Sequence, residues 1–288
     1  MGADSLIDVA DDPSIEPSAA SARLKDLLTR DGDQPPLDLA VSLIAADEDP
    51  TASPDEILAS LDALAAPLHL PEVASTIECV ARINTHLFGT LGFAGDSESY
   101  DDPLNSLVHR VLERRRGLPI LLSVLYIETA RRAGFAVDGI GYPGHFIVRP
   151  RDADPPFYLD PFHAGEVRRA APLEERLERL IPDTAHDPER RARFMDPVDA
   201  RYILTRMTNN LRASYLGRGD GLGVLRSVRR LRILQPDVSE HRRDLGLVLL
   251  GLGEVEAGTA ALEAYLDENP DAPEAPVLRE HLLSAGTD

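Results

Sequence analysis

Apolar residues recur at spacings of three and four along most of the chain, a period that predicts helices. The first such sets are Leu24, Leu27 and Leu28, then residues 37–46, then Ile57, Leu58, Leu61, Leu64 and Leu68. Ser53 and Pro54 give the third helix a cap and a first-turn proline, where no amide hydrogen is needed. A fourth helix is expected over about residues 71–87, carrying Cys79 within it. A loop rich in Gly and Asp at 92–103 interrupts the pattern, and helical spacing resumes over 105–116 with Asn105 as its natural N-cap. Gly117 stops that helix, and Pro119 opens another that runs through Ala133. Its first three turns are apolar on nearly every side, which places it at the centre of a domain.

Beyond Gly134 the pattern shortens. Strands are expected at 136–142, 145–149 and 157–160, separated by turns carrying Pro143-Gly144 and residues 152–156. One central helix followed by an antiparallel meander is an α+β arrangement. From Pro172 the chain reads as helical again, and positions there repeat at a spacing of 34. Leu211 pairs with Leu245, Tyr215 with Leu249, Val228 with Leu262, Leu231 with Tyr265, and Pro236-Asp237 with Pro270-Asp271. That period belongs to the tetratricopeptide helix–turn–helix unit. Two units are fewer than a free-standing solenoid needs, so these helices are expected to pack on the preceding domain. The expected organisation is a disordered acidic tail over 1–20 and an α+β domain over 21–170, with a helical part at 21–91 and a core at 104–170. A linker helix and loop follow over 171–198, then all-α repeats over 199–280.

Composition narrows the function classes. The formal charge is −19, and residues 1–60 carry fourteen acidic side chains against Arg23, Lys25 and Arg30. Such a surface repels phosphate backbones, so nucleic acid is not an expected partner. Lys25 is the only lysine among thirty basic residues, a bias that fits a GC-rich genome better than selection for anion binding. No segment approaches the ~20 apolar residues of a membrane span. The acidic first residues do not resemble a signal peptide, and the lone Cys79 fits a reducing compartment. The expected location is cytoplasmic.

The block from 105 to 165 carries the most chemistry: Asn105-Ser106, Arg116-Gly117-Leu118-Pro119, Ser123, Tyr126, Gly141, Pro143-Gly144-His145-Phe146 and Asp160-Pro161-Phe162. In these residues the chain resembles bacterial transglutaminase-like proteins with a tetratricopeptide tail, the SirB-one or YchA type. A related domain occurs within some eukaryotic F-box proteins. The resemblance implies a papain/transglutaminase-like fold whose catalytic residues come in the order Cys, His, Asp. The cysteine of that fold sits at the start of the central helix, where the helix N-terminus stabilises a thiolate. By resemblance His145 and Asp160 match the second and third members. The first should fall near Leu118 to Leu121, where there is no cysteine, serine or threonine. Cys79 lies some forty residues upstream within an amphipathic helix, where a free cysteine is usually a small buried hydrophobe. Ser123 lies a turn into the central helix, where its hydroxyl is expected to bond a carbonyl of the preceding turn.

Three uses of the His145–Asp160 pair stay open: a relic or binding pocket, a cysteine-independent hydrolase in which the pair activates water, and a metal site. Asp160, His163, His145 and His109 could supply ligands, but the spacing matches no strong zinc signature, so no metal and no cofactor are expected. Arg110, Arg114, Arg115 and Arg116 read as a solvated helix end pairing with nearby acids, with Arg116 also a candidate for binding. Asn105, Ser123 and Tyr126 are further binding candidates. In the repeats, Arg206, Asn209, Asn210 and Arg243 could line a groove for an acidic peptide. Arg226, Arg229, Arg230 and Arg232 are expected on an outer solvated face. The leading expectation is a non-catalytic protein-interaction or regulatory protein, with a hydrolase or amidase as the alternative.

Overall fold

The structure, a computed structural model, describes residues 17–71 and 74–285. Most of the tail expected over 1–20 therefore lies outside the described residues, and Ala19 and Ala20 already belong to a helix. The described chain forms two compact units, one of residues 26–207 and one of the residues up to Lys25 together with Thr208–Asp288.

Helices come first: α1 (Ala19–Asp31), α2 (Leu37–Glu48), α3 (Pro54–Ala65) and α4 (Thr76–Asn84). Ser53 caps α3 through the Glu56 amide, and Ser75 caps α4 through the Glu78 amide. A π-helical turn extends α4 to Thr90. β1 (Ala94–Gly95), α5 (Val108–Arg114) and β2 (Arg116–Gly117) precede the central helix α6 (Pro119–Arg132). Ile120 to Tyr126 of α6 are all buried, as an all-round apolar sequence requires. At its far end the buried Glu128 holds Arg131 at 2.7 Å and Arg132, and both arginines also reach Asp38 at 2.8 Å. These pairs tie α6 to α2.

β3 (Val137–Ile140), β4 (Ile147–Pro150), β5 (Phe157–Asp160) and β6 (Glu166–Arg169) form one antiparallel meander in chain order. β6 was not foreseen. Its sequence, Glu-Val-Arg-Arg, is polar and its one apolar residue, Val167, is exposed, so it pairs with β5 as an edge strand without an apolar face. The expected linker at 171–198 is also part of the fold. α7 (Ala170–Leu180) brings Leu173 and Leu177 into a core with Ile140, Tyr142, Ile147, Tyr158 and Met195, and α8 (Pro188–Arg193) follows.

The division between the units falls inside α9 (Ala200–Arg218), between Met207 and Thr208. The helices α10 (Gly221–Leu234), α11 (Glu240–Gly251), α12 (Val255–Glu268) and α13 (Ala275–Ala285) complete the second unit. All eight apolar positions of the 34-residue repeat are buried. Where α11 meets α12, a Cβ at Gly246 would lie 2.6 Å from Leu262, so only glycine permits that approach. Arg230 departs from its expected place on a solvated face: its side chain is 0 % exposed. Arg226 and Arg229 are half-buried, with the Arg226 guanidinium over the Tyr215 ring, and Arg232 alone is exposed.

Candidate functional site

The start of α6 is held from two sides. The Leu118 amide donates to the Asn105 carbonyl at 3.1 Å, and the Asp96 amide donates to the Gly117 carbonyl at 3.2 Å. β1 and β2 run parallel beside it. No side chain caps the helix, and its first turn is Leu118-Pro119-Ile120-Leu121, all buried. The resemblance in the sequence would place a thiol at this position, which is apolar.

His145 lies in the turn made by Pro143 and Gly144, two residues ahead of β4, and not on a strand as expected. Gly144 has a φ of +69°, which the turn requires and glycine accommodates. Asp160 ends β5. His145 Nε2 lies 2.9 Å from Asp160 Oδ1, and His163 Nδ1 lies 2.9 Å from Asp160 Oδ2. The carboxylate thus joins two imidazoles, and Arg168 stands at 3.6 Å from it while pairing with Glu166 at 2.9 Å. Asp160 is 3 % exposed. Burial alone would push its carboxyl up, but the hydrogen bonds and positive potential of His145 and His163 outweigh this and hold it below the usual carboxylate range. It also accepts the His163 amide at 3.4 Å, capping the 3₁₀ turn Pro161–His163.

Phe162 fills the space beside this cluster. Its ring meets His145 edge-on at 6.1 Å and Tyr100 at 6.1 Å. A Cβ at Gly95 would lie 2.5 Å from that ring, so β1 must present glycine there. Arg206 holds the His145 turn from below. Its guanidinium donates to the carbonyls of Tyr142 (3.1 Å) and His145 (2.8 Å) and stacks over Phe146 at 5.7 Å. That corrects its expected role in a peptide groove.

Other candidates fall elsewhere. Asn105 is buried in the 3₁₀ turn Pro103–Ser106 and donates to the Ser99 carbonyl at 2.7 Å. It is not the cap of α5, whose N-cap is Leu107, because Pro103 and the Asp102 cap start a separate turn first. Ser123 is buried, and its hydroxyl reaches forward to the Phe146 carbonyl at 3.5 Å and not to the preceding turn. Tyr126 is buried against Phe88, ring centroids 6.2 Å apart, and burial with the neighbouring Cys79 raises its phenol above the ordinary range. Cys79 is 7 % exposed, and burial pushes its thiol up, the reverse of activation. His109 bonds Asp49 at 3.2 Å and does not join the cluster around Asp160. Arg116 is exposed and donates to the Gly92 carbonyl at 3.1 Å, while Arg110 pairs with Asp49 and Glu113, and Arg114 with Asp96 and Asp102. In the repeats Arg243 is committed to Asp244 (2.8 Å) and Glu274, so it is not a free groove cation. Asn209 and Asn210 are half-buried on α9.

The region that carries these parts is similar to a known family. The model of the transglutaminase-like superfamily matches residues 55–209, just over half the chain. The chain belongs to this superfamily. Behind the transglutaminase-like region, a tetratricopeptide-repeat model matches residues 211–282. A UPF0162 protein of Xylella fastidiosa (strain Temecula1) is 35% identical over 209 residues, 73% of this chain and 74% of the relative. One from Pseudomonas aeruginosa is 29% identical over 220 residues, 74% and 77% of the two chains. Mouse F-box only protein 21 is 28% identical over 159 residues, 52% of this chain and 24% of that protein. No solved structure matches. Among the described residues no helix is long and apolar enough to cross a membrane.

Proposed function

We propose that this is a non-catalytic binding protein: a transglutaminase-like scaffold without its thiol nucleophile, joined to tetratricopeptide repeats that take up a polypeptide partner. The observation that carries the reading is the apolar first turn of α6, Leu118 to Leu121, in the same unit as a formed His145–Asp160 pair. A thiol at a helix start gains stabilisation as the thiolate, and a thiol buried among apolar groups loses it. Cys79 is of the second kind. The His145 side chain is only 13 % exposed, which favours a held imidazole over one that meets a substrate.

The repeats supply the binding half. Ala213 on α9 and Leu247 on α11 stand one repeat apart, and both are exposed. The first helices of the two units therefore present equivalent outward positions, as repeat proteins do on their binding faces. Leu216 on α9 adds an exposed apolar side chain.

The alternative is a cysteine-independent hydrolase or amidase. What favours it is Asp160, which stays ionised and orients the His145 imidazole as a general base would need. Two measurements separate the readings. Amide turnover on peptide substrates should stay at background and be unaffected by a thiol alkylator, and a turnover abolished in His145→Ala would establish the hydrolase. A photo-crosslinker at Leu247 should trap a polypeptide that one at Ile77, exposed on α4, does not.

A further inference from the structure

We infer that His145, Asp160 and His163 form a binding site for one divalent transition-metal ion of the zinc or cobalt kind. The donor atoms of the three residues all lie within 4.8 Å of one another, and among the described residues this is the one group of that kind. The inference shares the His145–Asp160 pair with the proposed function, but it concerns what the cluster holds and not what the repeats bind, so metal titration and partner capture can fail separately.

The donor set decides the class of ion. Two imidazoles and one carboxylate suit zinc and its neighbours, whereas calcium and magnesium prefer oxygen throughout. The geometry is close to what such an ion needs. Tetrahedral ligands at about 2.1 Å from a metal stand roughly 3.4 Å apart. His145 Nε2 and His163 Nδ1 each lie 2.9 Å from a different oxygen of Asp160, and with one oxygen as ligand the three donor atoms lie within 4.8 Å of one another. One separation therefore opens by about half an ångström and none has to close by more than about 1.4 Å. The imidazole rings are 5.9 Å apart between centroids and tilted by 45°.

Charge accounting is consistent. In the metal-free state Asp160 accepts from His145 Nε2 and His163 Nδ1, so the nitrogens facing the carboxylate carry the protons. Binding needs those lone pairs, and each imidazole must shift its proton to its other nitrogen, His145 Nδ1 and His163 Nε2. The His163 side chain is 53 % exposed, so its Nε2 proton can be solvated and an ion can approach from that side. Arg168, 3.6 Å from Asp160 Oδ2, opposes a cation there, but it also pairs with Glu166 at 2.9 Å and can stay with that partner. Arg206 fixes the backbone of the His145 turn, and the Asp160 cap fixes the 3₁₀ turn bearing His163. Both ligand-bearing turns are held before an ion arrives. Three protein ligands leave a fourth position for a ligand from solvent.

The test uses the untagged full chain, stripped with a chelator and titrated with Zn²⁺ and with Co²⁺. One equivalent should bind per chain, and Co²⁺ should give the visible absorption bands of a four-coordinate site. Affinity should fall on acidification, because metal binding displaces protons from its ligands. His163→Asn, at a half-exposed position that tolerates change, should weaken binding at least about tenfold, since losing even an outer-shell partner costs about 10–100-fold. Asp160→Asn should do the same, and His109→Ala should leave affinity unchanged. Absence of stoichiometric binding overturns the inference. So does binding that survives His163→Asn in a variant whose circular dichroism matches the parent.

Discussion

Replacing Arg206 by Ala separates two roles for one residue. If Arg206 lined a peptide groove, its loss would cost little, because exposed substitutions usually stay within about 0.5 kcal/mol. The structure instead has its guanidinium donating to two carbonyls, Tyr142 and His145, and stacked on Phe146. A hydrogen bond from a charged donor is worth about 1.5–3 kcal/mol net, and a partly exposed pair falls near the lower end. Two such bonds and a weak cation–π contact come to about 3 kcal/mol. In a unit of this size that corresponds to a melting temperature lowered by ~6–12 °C. Differential scanning calorimetry of the full chain measures it, and Arg206→Lys should fall in between, because one ammonium cannot span both carbonyls as a planar fork does. The imidazole resonances of His145 should also shift, since the turn that carries it loses its anchor. A melting temperature within 2 °C of the parent, with His145 unchanged, would refute the clamp and restore the groove.

Three further outcomes follow from local geometry. Gly246→Ala should destabilise the repeat unit by about 1–3 kcal/mol, because the new methyl meets Leu262 at 2.6 Å and the Gly258 carbonyl at 3.0 Å; unchanged urea unfolding would mean the α11–α12 approach is looser. The Asp49 carboxyl should titrate at about 2, held down by the Thr51 hydroxyl first and then, against burial, by the Thr51 amide and His109. Its stabilising contribution is present above about pH 4 and lost as pH falls toward 2, and Thr51→Val should bring the NMR midpoint back up. Cys79 should resist alkylation in the folded protein and react once the chain is unfolded, and modification at the folded-state rate of an exposed thiol would contradict its burial.

How much of this was legible depended on the range of the interaction. Periodicity alone located the central helix and the buried positions of both repeats, because burial of an apolar face is a property of one helix at a time. The pairing of His145 with Asp160 followed from family resemblance and was not available from spacing. What escaped was long-range and polar. Nothing local marks Arg206 as reaching carbonyls some sixty residues earlier in the chain, and Arg230 sits in a run of arginines that reads as solvated yet is wholly buried. β6 lacks the alternation that would reveal a strand, since its partner β5 supplies the hydrogen bonds and no core demands its side chains. Asn105 failed as a cap because Pro103 and Asp102 begin a competing turn two residues earlier, a contest that single-residue preference does not resolve.

The His145–Asp160 pair is weak evidence of catalysis for a physical reason, and Asp160→Asn makes that reason measurable. A carboxylate this buried needs hydrogen-bond donors whether or not it serves a reaction. Here it accepts from two imidazoles and caps a turn, so the fold alone gives cause to keep it. The amide is isosteric but offers one acceptor in place of two, and losing a hydrogen bond of this kind costs about 1–3 kcal/mol. The pH dependence sharpens the test. A depressed carboxyl contributes stability above its unfolded value, near 3.9, and the contribution is lost as pH falls through the lower folded value. The variant should therefore be less stable than the parent at pH 7, with the gap closing below about pH 4. A constant gap would mean that Asp160 titrates alike in the folded and unfolded chain. A gap that widens on acidification would mean that it is protonated in the folded protein. In that case the two imidazoles would not be held by its charge, and both the relic reading and the metal site would lose their common anchor.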